Sequence, residues 1–220
     1  MILTRKEIEQ LIGESEIMIA ASINNGRIKA YLLNYNYDAA RMAIGQAILE
    51  DAKTYYQDRI VNGGKQLVAT SALEEAIEEA KIICNEHLII GRLILKNEPL
   101  KMVSYSMEGE RKKDLHGWIQ QETAFYKSIL NDTDIVTKYA GFGATTEKLQ
   151  KGLNAVNHVL EVKVQQEGAK SAAQMSTEVR NNAVFILADW IHELRTILKL
   201  ALAPEPQLLE SAGILARSEK

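Results

Sequence analysis

The chain has 220 residues, of which 46% are hydrophobic and 25% are charged, with 26 basic and 29 acidic residues interspersed and a net charge of −3. A chain of this length can bury a hydrophobic core without disulfides, and the single Cys84 cannot form an internal disulfide. Because the charges are interspersed, we predict no strongly positive surface that could bind nucleic acid. No segment approaches the roughly 20 apolar residues of a membrane span, and the charged N-terminal segment does not resemble a secretory signal, so we expect a cytoplasmic protein.

A capping box opens the first predicted helix. In Thr4-Arg5-Lys6-Glu7 the hydroxyl and the carboxylate can each satisfy a free amide at a helix start. Apolar residues then recur at helical spacing: Ile8, Leu11, Ile12, Met18 and Ile19. A short segment follows and ends at Tyr35-Asn36-Tyr37, where Asn tolerates the positive φ that stops a helix.

Two long helices are predicted next, at about 38–61 and 72–96. Gly63-Gly64 is the predicted hairpin bend between them, and Ser71-Ala72-Leu73-Glu74 offers a second capping box. Glu98-Pro99 should stop the second helix, because Pro lacks the backbone donor and disfavours helix at the preceding residue. The apolar residues that follow, up to Met107, should fold back over an end of the bundle.

The second half of the sequence repeats the first. Glu98-Pro99 matches Glu205-Pro206, and we call the number of residues between these two matching pairs the repeat offset. At the same offset and without a gap, Gly45 matches Gly152 and Glu86 matches Glu193. Apolar character is kept at most of the other positions, and the second bend is predicted near Gly168. The pattern predicts a tandem duplication, residues 1–107 and 108–214, within a single domain spanning 1–220.

An all-α fold follows from these elements. Each long helix carries an apolar stripe that one hairpin alone cannot cover, whereas two hairpins packed face to face can cover both. We therefore expect an antiparallel four-helix bundle with pseudo-twofold symmetry and short flanking helices. Two independent domains in a row are the alternative, but the join at 107–114 contains no Pro-rich or Ser-rich linker.

Metal-binding spacing is incomplete in this sequence. A ferritin-like di-metal site needs two Glu-x-x-His pairs, and the comparable pair Asp189-x-x-His192 has Ile82 and Asn85 at the matching positions. Glu86 and Glu193, each beside a histidine, fall at the edge of the apolar stripes, which favours a solvated or capping role. No metal or cofactor is predicted.

A nucleophilic pair would require Cys84 and His87, one helical turn apart. His87 could in principle lower the pKa of the thiol, but both residues lie on the apolar stripe. The matching positions are Ile191 and Leu194, so a small buried thiol is the favoured interpretation.

Three other features have two interpretations each. Gly45 and Gly152, both mid-helix, indicate either a close helix crossing near the pseudo-twofold axis, which is favoured, or a ligand near the backbone. The group of Tyr31, Tyr35, Tyr37, Tyr55 and Tyr56 indicates either packing, which is favoured, or a contact surface. Arg111-Lys112-Lys113 is flanked by acidic residues, and we interpret it as a solvated loop.

Three segments carry a family resemblance: FYKSIL, YAGFGATTEKLQKGL and PQLLESAGILARS. They resemble a group of bacterial proteins built from two helical halves, most strongly over residues 115–218. The resemblance implies an all-helical fold and a bacterial source, and it brings no activity or functional residue with it.

Two functions remain open from the sequence. The first is a non-catalytic interaction or assembly protein that binds a protein partner or another copy of itself. The second is a helical bundle that holds a small ligand or metal in its core, or acts as an enzyme through such a site. The absence of a phosphate loop, a nucleophile elbow or a zinc-ligand pattern favours the first.

Overall fold

The computed structural model describes residues 3–215, and every regular element in that range is a helix. The eight helices are α1 (Arg5–Asn24), α2 (Gly26–Leu33), α3 (Ala39–Ile94), α4 (Pro99–Ser104), α5 (Leu115–Leu130), α6 (Thr133–Ala140), α7 (Thr146–Ala201) and α8 (Leu208–Ser211). The predicted all-α class is confirmed. Within residues 3–215, none of the helices is long and apolar enough to cross a membrane.

Two compact units divide the chain. Unit 1 comprises Met1–Gly63 and Ala172–Lys220, and unit 2 comprises Gly64–Ser171. The unit 1 core combines α1, α2 and α8 with the first half of α3 and the second half of α7. The unit 2 core combines α5 and α6 with the second half of α3 and the first half of α7. Neither boundary coincides with the predicted repeat boundary at Met107.

The predicted hairpin bends are wrong, because α3 and α7 are each one continuous helix of 56 residues. Gly63 and Gly64 lie inside α3, and neither has the positive φ that a turn there would need. Glycine in a helix interior costs only about 1 kcal/mol relative to alanine, which the helix-forming neighbours offset. Ser71 likewise lies mid-helix and opens no new helix. The four-helix bundle built from those bends is therefore not confirmed.

Helix boundaries recur at the repeat offset. The bounds of α6 and α7 are those of α2 and α3 shifted by that offset. Positive φ values recur as well, at Asn36 (60°) and Gly143 (79°), and at Ser106 (55°) and Gly213 (72°). Each of these four residues ends a short helix, and the next amide donates back to a carbonyl five residues earlier.

The predicted helix starts and stops are largely confirmed. Thr4 and Glu7 form the capping box of α1, with the Glu7 amide donating to Thr4 Oγ1 at 3.3 Å. The α3 helix ends at Ile94, four residues before Glu98, and Pro99 is the first residue of α4. After each stop the chain does fold back onto its core, where Met107 and Ile214 are buried.

Candidate functional site

The residues tested for metal binding do not come together. In the part of the chain that the structure describes, no group of three or more His, Cys, Asp or Glu side chains could hold a metal ion. Asp189 and His192 are exposed on α7. Glu193 instead pairs with Arg41 at 3.3 Å within unit 1.

Cys84 and His87 belong to a buried polar cluster in unit 2. Both are almost fully buried, and burial raises the pKa of the Cys84 thiol to about 12. His87 Nδ1 lies 2.8 Å from the Tyr126 hydroxyl, and burial lowers the pKa of the imidazole. A neutral thiol beside a neutral imidazole lacks the thiolate that nucleophilic chemistry requires.

An ion pair extends this cluster, and the sequence did not reveal it. Arg111 Nε lies 2.9 Å from Glu122 Oε1, and the two side chains are 12% and 2% exposed. Burial raises the pKa of Glu122 and lowers the pKa of Arg111, so desolvation outweighs their mutual attraction. Among the described residues, Glu122 Oε2 and both Nε and Nη2 of Arg111 have no hydrogen-bond partner, so this contact is an ion pair without hydrogen-bond geometry.

Two arginines hold the connection between α4 and α5. Arg92 Nε donates to the Met107 carbonyl at 2.8 Å, and its Nη2 donates to the Gly109 carbonyl. Arg111 Nη1 donates to the Ser106 carbonyl. Because these contacts fix the backbone on both sides of Met107, this connection is an ordered part of unit 2. The predicted solvated loop is therefore wrong for Arg111 and right for the exposed Lys112 and Lys113.

A cleft of about 490 Å³ lies beside this connection, entirely within unit 2. One wall is a single face of α3, with Ile77, Lys81 and Asn85 at successive intervals of four residues. Such residues lie on the same side of a helix. The opposite wall is the segment Arg111-Lys112-Lys113 and the first turn of α5.

The cleft is bordered by cations. Lys81, Lys112 and Lys113 are exposed, and within residues 3–215 none of them has a carboxylate oxygen within 4.0 Å. Asp114, which directly follows Lys113, caps α5 by accepting from the Gly117 amide at 2.7 Å. All three lysines therefore line one cleft, and among the described residues none of them forms a salt bridge.

The floor of the cleft is apolar. Ile77 and Leu115 are half-buried, and Trp118 is 5% exposed. The burial of Trp118 agrees with a packing role, and its proximity to Lys81 depends on α3 packing against the start of α5. No local pattern signals that juxtaposition, since residues 81 and 113 are far apart in the chain.

The paired glycines accommodate aromatic rings. A Cβ on Gly45 would lie 2.1 Å from the Trp190 ring in unit 1, and one on Gly152 would lie 2.1 Å from the Tyr126 hydroxyl in unit 2. Gly91 makes similar room for Tyr139, whose hydroxyl donates to the His87 carbonyl at 3.0 Å. The expected helix crossing is thus corrected to a ring lying against the helix, which leaves no space for a ligand there.

The tyrosine group of unit 1 is divided among separate contacts. The Tyr31 hydroxyl donates to Glu205 at 2.9 Å, and the Tyr56 hydroxyl donates to Glu9. The Tyr37 ring is buried 6.4 Å from the Trp190 ring, centroid to centroid. These contacts agree with the favoured packing interpretation.

Comparison of the whole chain with protein-family models, with curated proteins and with solved structures finds no match.

Proposed function

We propose that this protein is a non-catalytic helical binding protein that takes a small molecule into the cleft of unit 2. The observation that carries this proposal is the cleft itself, about 490 Å³, which is lined by three apolar side chains and by lysines that form no salt bridge within residues 3–215. Concave sites of about 300–1,000 Å³ with an apolar lining and a few convergent polar groups are typical of small-molecule binding.

The neighbouring polar cluster supports binding without chemistry. Cys84 is buried with a pKa of about 12, and the lowered pKa of His87 leaves its ring neutral near pH 7. Arg111 is itself part of the cleft wall, and its ion pair with the buried Glu122 holds that part of the wall in place. These groups act as structure, and the exposed lysines act on the ligand.

A thermal-shift screen of a metabolite library, with native mass spectrometry of the hits, tests this proposal. Ligands should raise the melting temperature of the wild-type protein, because they bind the folded state alone. Asn85→Trp, on the cleft wall, should abolish the shift. His192→Trp, at the matching position of unit 1 and exposed, should leave it intact. An absence of hits, or hits that ignore Asn85→Trp, would contradict the proposal.

An interaction or assembly role is the second candidate, with a second copy of the chain as the partner. It is favoured by Ile82, Ile89 and Leu93, which are 64%, 68% and 51% exposed on α3 in unit 2. Their spacing of seven and four residues is that of a helix-pairing seam. Sedimentation velocity should show a concentration-dependent dimer that Ile82→Gln/Ile89→Gln removes, and a monomer at all concentrations would exclude it.

We further propose that the chain arose by tandem duplication of an ancestral segment that corresponds to residues 1–107. The recurring helix bounds and positive φ values support it. A pair of matching contacts supports it too. Glu205 accepts from Tyr31 in unit 1, and their matches Glu98 and Lys138 form an ion pair at 3.6 Å in unit 2. Pseudo-twofold symmetry, a single domain, a cytoplasmic location, a bacterial source and the absence of a nucleic-acid partner stay predictions.

A further inference from the structure

We infer that the ligand of the unit 2 cleft is an amphipathic organic anion, with an acidic group held by Lys81, Lys112 and Lys113 and an apolar body against the half-buried Ile77 and Leu115. This inference rests on the proposed binding function and adds the chemical class of the ligand. The acidic group is a carboxylate, a sulfonate or a phosphate, which share the oxygen acceptors that ammonium groups bind.

Among the described residues, those that line the cleft include several cations and no acidic side chain. Arg111 is offset by Glu122, whereas Lys81 and the two loop lysines have no carboxylate within 4.0 Å among the described residues. Two different segments supply these lysines, so their positive fields add at the opening between them. A cleft with one sign of charge and low-dielectric walls raises the local concentration of ligands of opposite sign.

The apolar part of the lining favours a ligand with an apolar body over a bare inorganic ion. Ile77, Leu115 and Trp118 line the same space, and the half-buried Ile77 and Leu115 offer apolar surface whose removal from water would favour binding. An ion held by the lysines alone would leave this floor wetted. A ring or a short aliphatic chain attached to the acidic group would displace that water and gain the additional burial.

The position of the lysines separates this cleft from the corresponding part of unit 1. At the repeat offset, Lys81 is matched by Ala188, and Lys113 is matched by Lys6 at the start of α1. Unit 1 thus has a basic residue at one wall only. Lys6 therefore provides a matched control for Lys113, because it is an exposed lysine in the first turn region of the equivalent helix.

Fluorescence titration with 1-anilinonaphthalene-8-sulfonate and N-phenyl-1-naphthylamine tests the inference, since the two probes share one apolar body and differ in the sulfonate. The anionic probe should bind more tightly to the wild-type protein. Lys81→Ala/Lys113→Ala should weaken it by about tenfold, as expected for loss of charge-assisted contacts. Lys6→Ala should have no effect. Binding of the anionic probe should also weaken with added salt.

Displacement of the anionic probe identifies the acidic group. If phenyl phosphate displaces the probe at a lower concentration than phenylacetate, the acidic group of the ligand is a phosphate. The reverse order indicates a carboxylate, and either order supports an amphipathic anion. Inorganic phosphate should displace the probe at least tenfold less well than phenyl phosphate. Equal displacement by inorganic phosphate would overturn the amphipathic assignment, as would tighter binding of a single-stranded oligonucleotide.

The location of the binding site and the chemical class of its ligand can be tested separately. Equal binding of both probes, blocked by Asn85→Trp and indifferent to the lysine substitutions, would overturn the ligand class while keeping the cleft as the binding site. Probe fluorescence that persists in Asn85→Trp would place the probe elsewhere on the surface and would overturn both.

Discussion

Units 1 and 2 have matching helices and different interiors. In unit 2 the core contains Cys84, His87, Glu122, Tyr126 and Tyr139. Their matches at the repeat offset, all buried in unit 1, are Ile191, Leu194, Ser15, Ile19 and Leu32. One unit is thus filled almost entirely by hydrocarbon, and the other contains an ion pair and hydrogen-bonded rings.

The polar interior makes unit 2 more dependent on exact partners. A buried polar group is favourable only while its partner is in place, whereas an aliphatic side chain tolerates small shifts of its neighbours. Ser15 in unit 1 satisfies itself locally, since its hydroxyl donates to the Leu11 carbonyl at 2.6 Å. Glu122 depends instead on Arg111 from the connection between α4 and α5. Substitutions at matched positions should therefore affect unit 2 more.

The largest difference is expected at Glu122. Glu122→Gln should lower the free energy of unfolding by about 3 kcal/mol, because it leaves the Arg111 guanidinium buried without a countercharge. Ser15→Ala, at the matched position of unit 1, should cost no more than about 1 kcal/mol. Urea denaturation followed by circular dichroism measures both values.

The double variant Arg111→Met/Glu122→Leu sharpens this result. Removing both charges should restore stability to within about 1 kcal/mol of wild type, since the pair is offset by its own desolvation. A Glu122→Gln protein as stable as wild type would show that the pair contributes nothing to unit 2.

A smaller difference is expected between the two glycines. Gly152→Ala should cost about 2 kcal/mol, because the new Cβ meets the fully buried Tyr126. Gly45→Ala should cost less, because the half-buried Trp190 can shift outward. Gly45→Leu should be more severe than either. Thermal unfolding monitored by circular dichroism compares these variants.

Two other glycines serve as controls for the helix propensity. Nothing lies within 4 Å of a Cβ on Gly13 in unit 1 or on Gly168 in unit 2. Alanine at either position should stabilise the protein by up to about 1 kcal/mol. Equal costs at all four positions would mean that the rings are not what requires glycine.

The smallest effect should appear as a pH dependence specific to unit 2. Burial lowers the pKa of His87 below its ordinary value of about 6.5, so the unfolded state binds a proton that the folded state does not. Relative to His87→Gln, the wild-type protein should lose about 1 kcal/mol of stability as the pH falls from about 7 to about 5.5. Chemical denaturation of the wild-type and His87→Gln proteins across this pH series measures the difference. Parallel pH profiles for the two proteins would contradict this.

Local signals in the sequence predicted several helix starts and stops, although the bends predicted at Gly63-Gly64 and Gly168 were wrong. The Thr4 capping box, the turn at Asn36 and the stops before Pro99 and Pro206 each depend on the stereochemistry of one or two residues. These effects act between residues that are close in sequence, so the sequence alone shows where they operate. The repeat offset then relates the bounds of α2 and α3 to those of α6 and α7.

Longer-range features were not predictable in the same way. Whether Gly63-Gly64 bends or continues depends on which surface the following segment can bury, and both choices satisfy the local pattern. The charged neighbours of Arg111 in sequence predicted a solvated side chain. Its partner Glu122 lies inside the next helix, α5, and the local sequence does not show that the two side chains meet. The cleft depends on residues 81 and 113 meeting in space, which no periodicity encodes.

The division of the chain at Gly63 and Ala172 has a consequence for biosynthesis. Unit 2 is continuous in sequence, so its core can close once the chain up to Ser171 has left the ribosome. Unit 1 needs the segment that begins at Ala172 to cover the apolar faces of α1 and α2. The apolar faces of α1 and α2 are therefore synthesised first and covered last. We expect the nascent chain to expose them throughout synthesis of unit 2, and chaperones that bind apolar segments would find their substrate there.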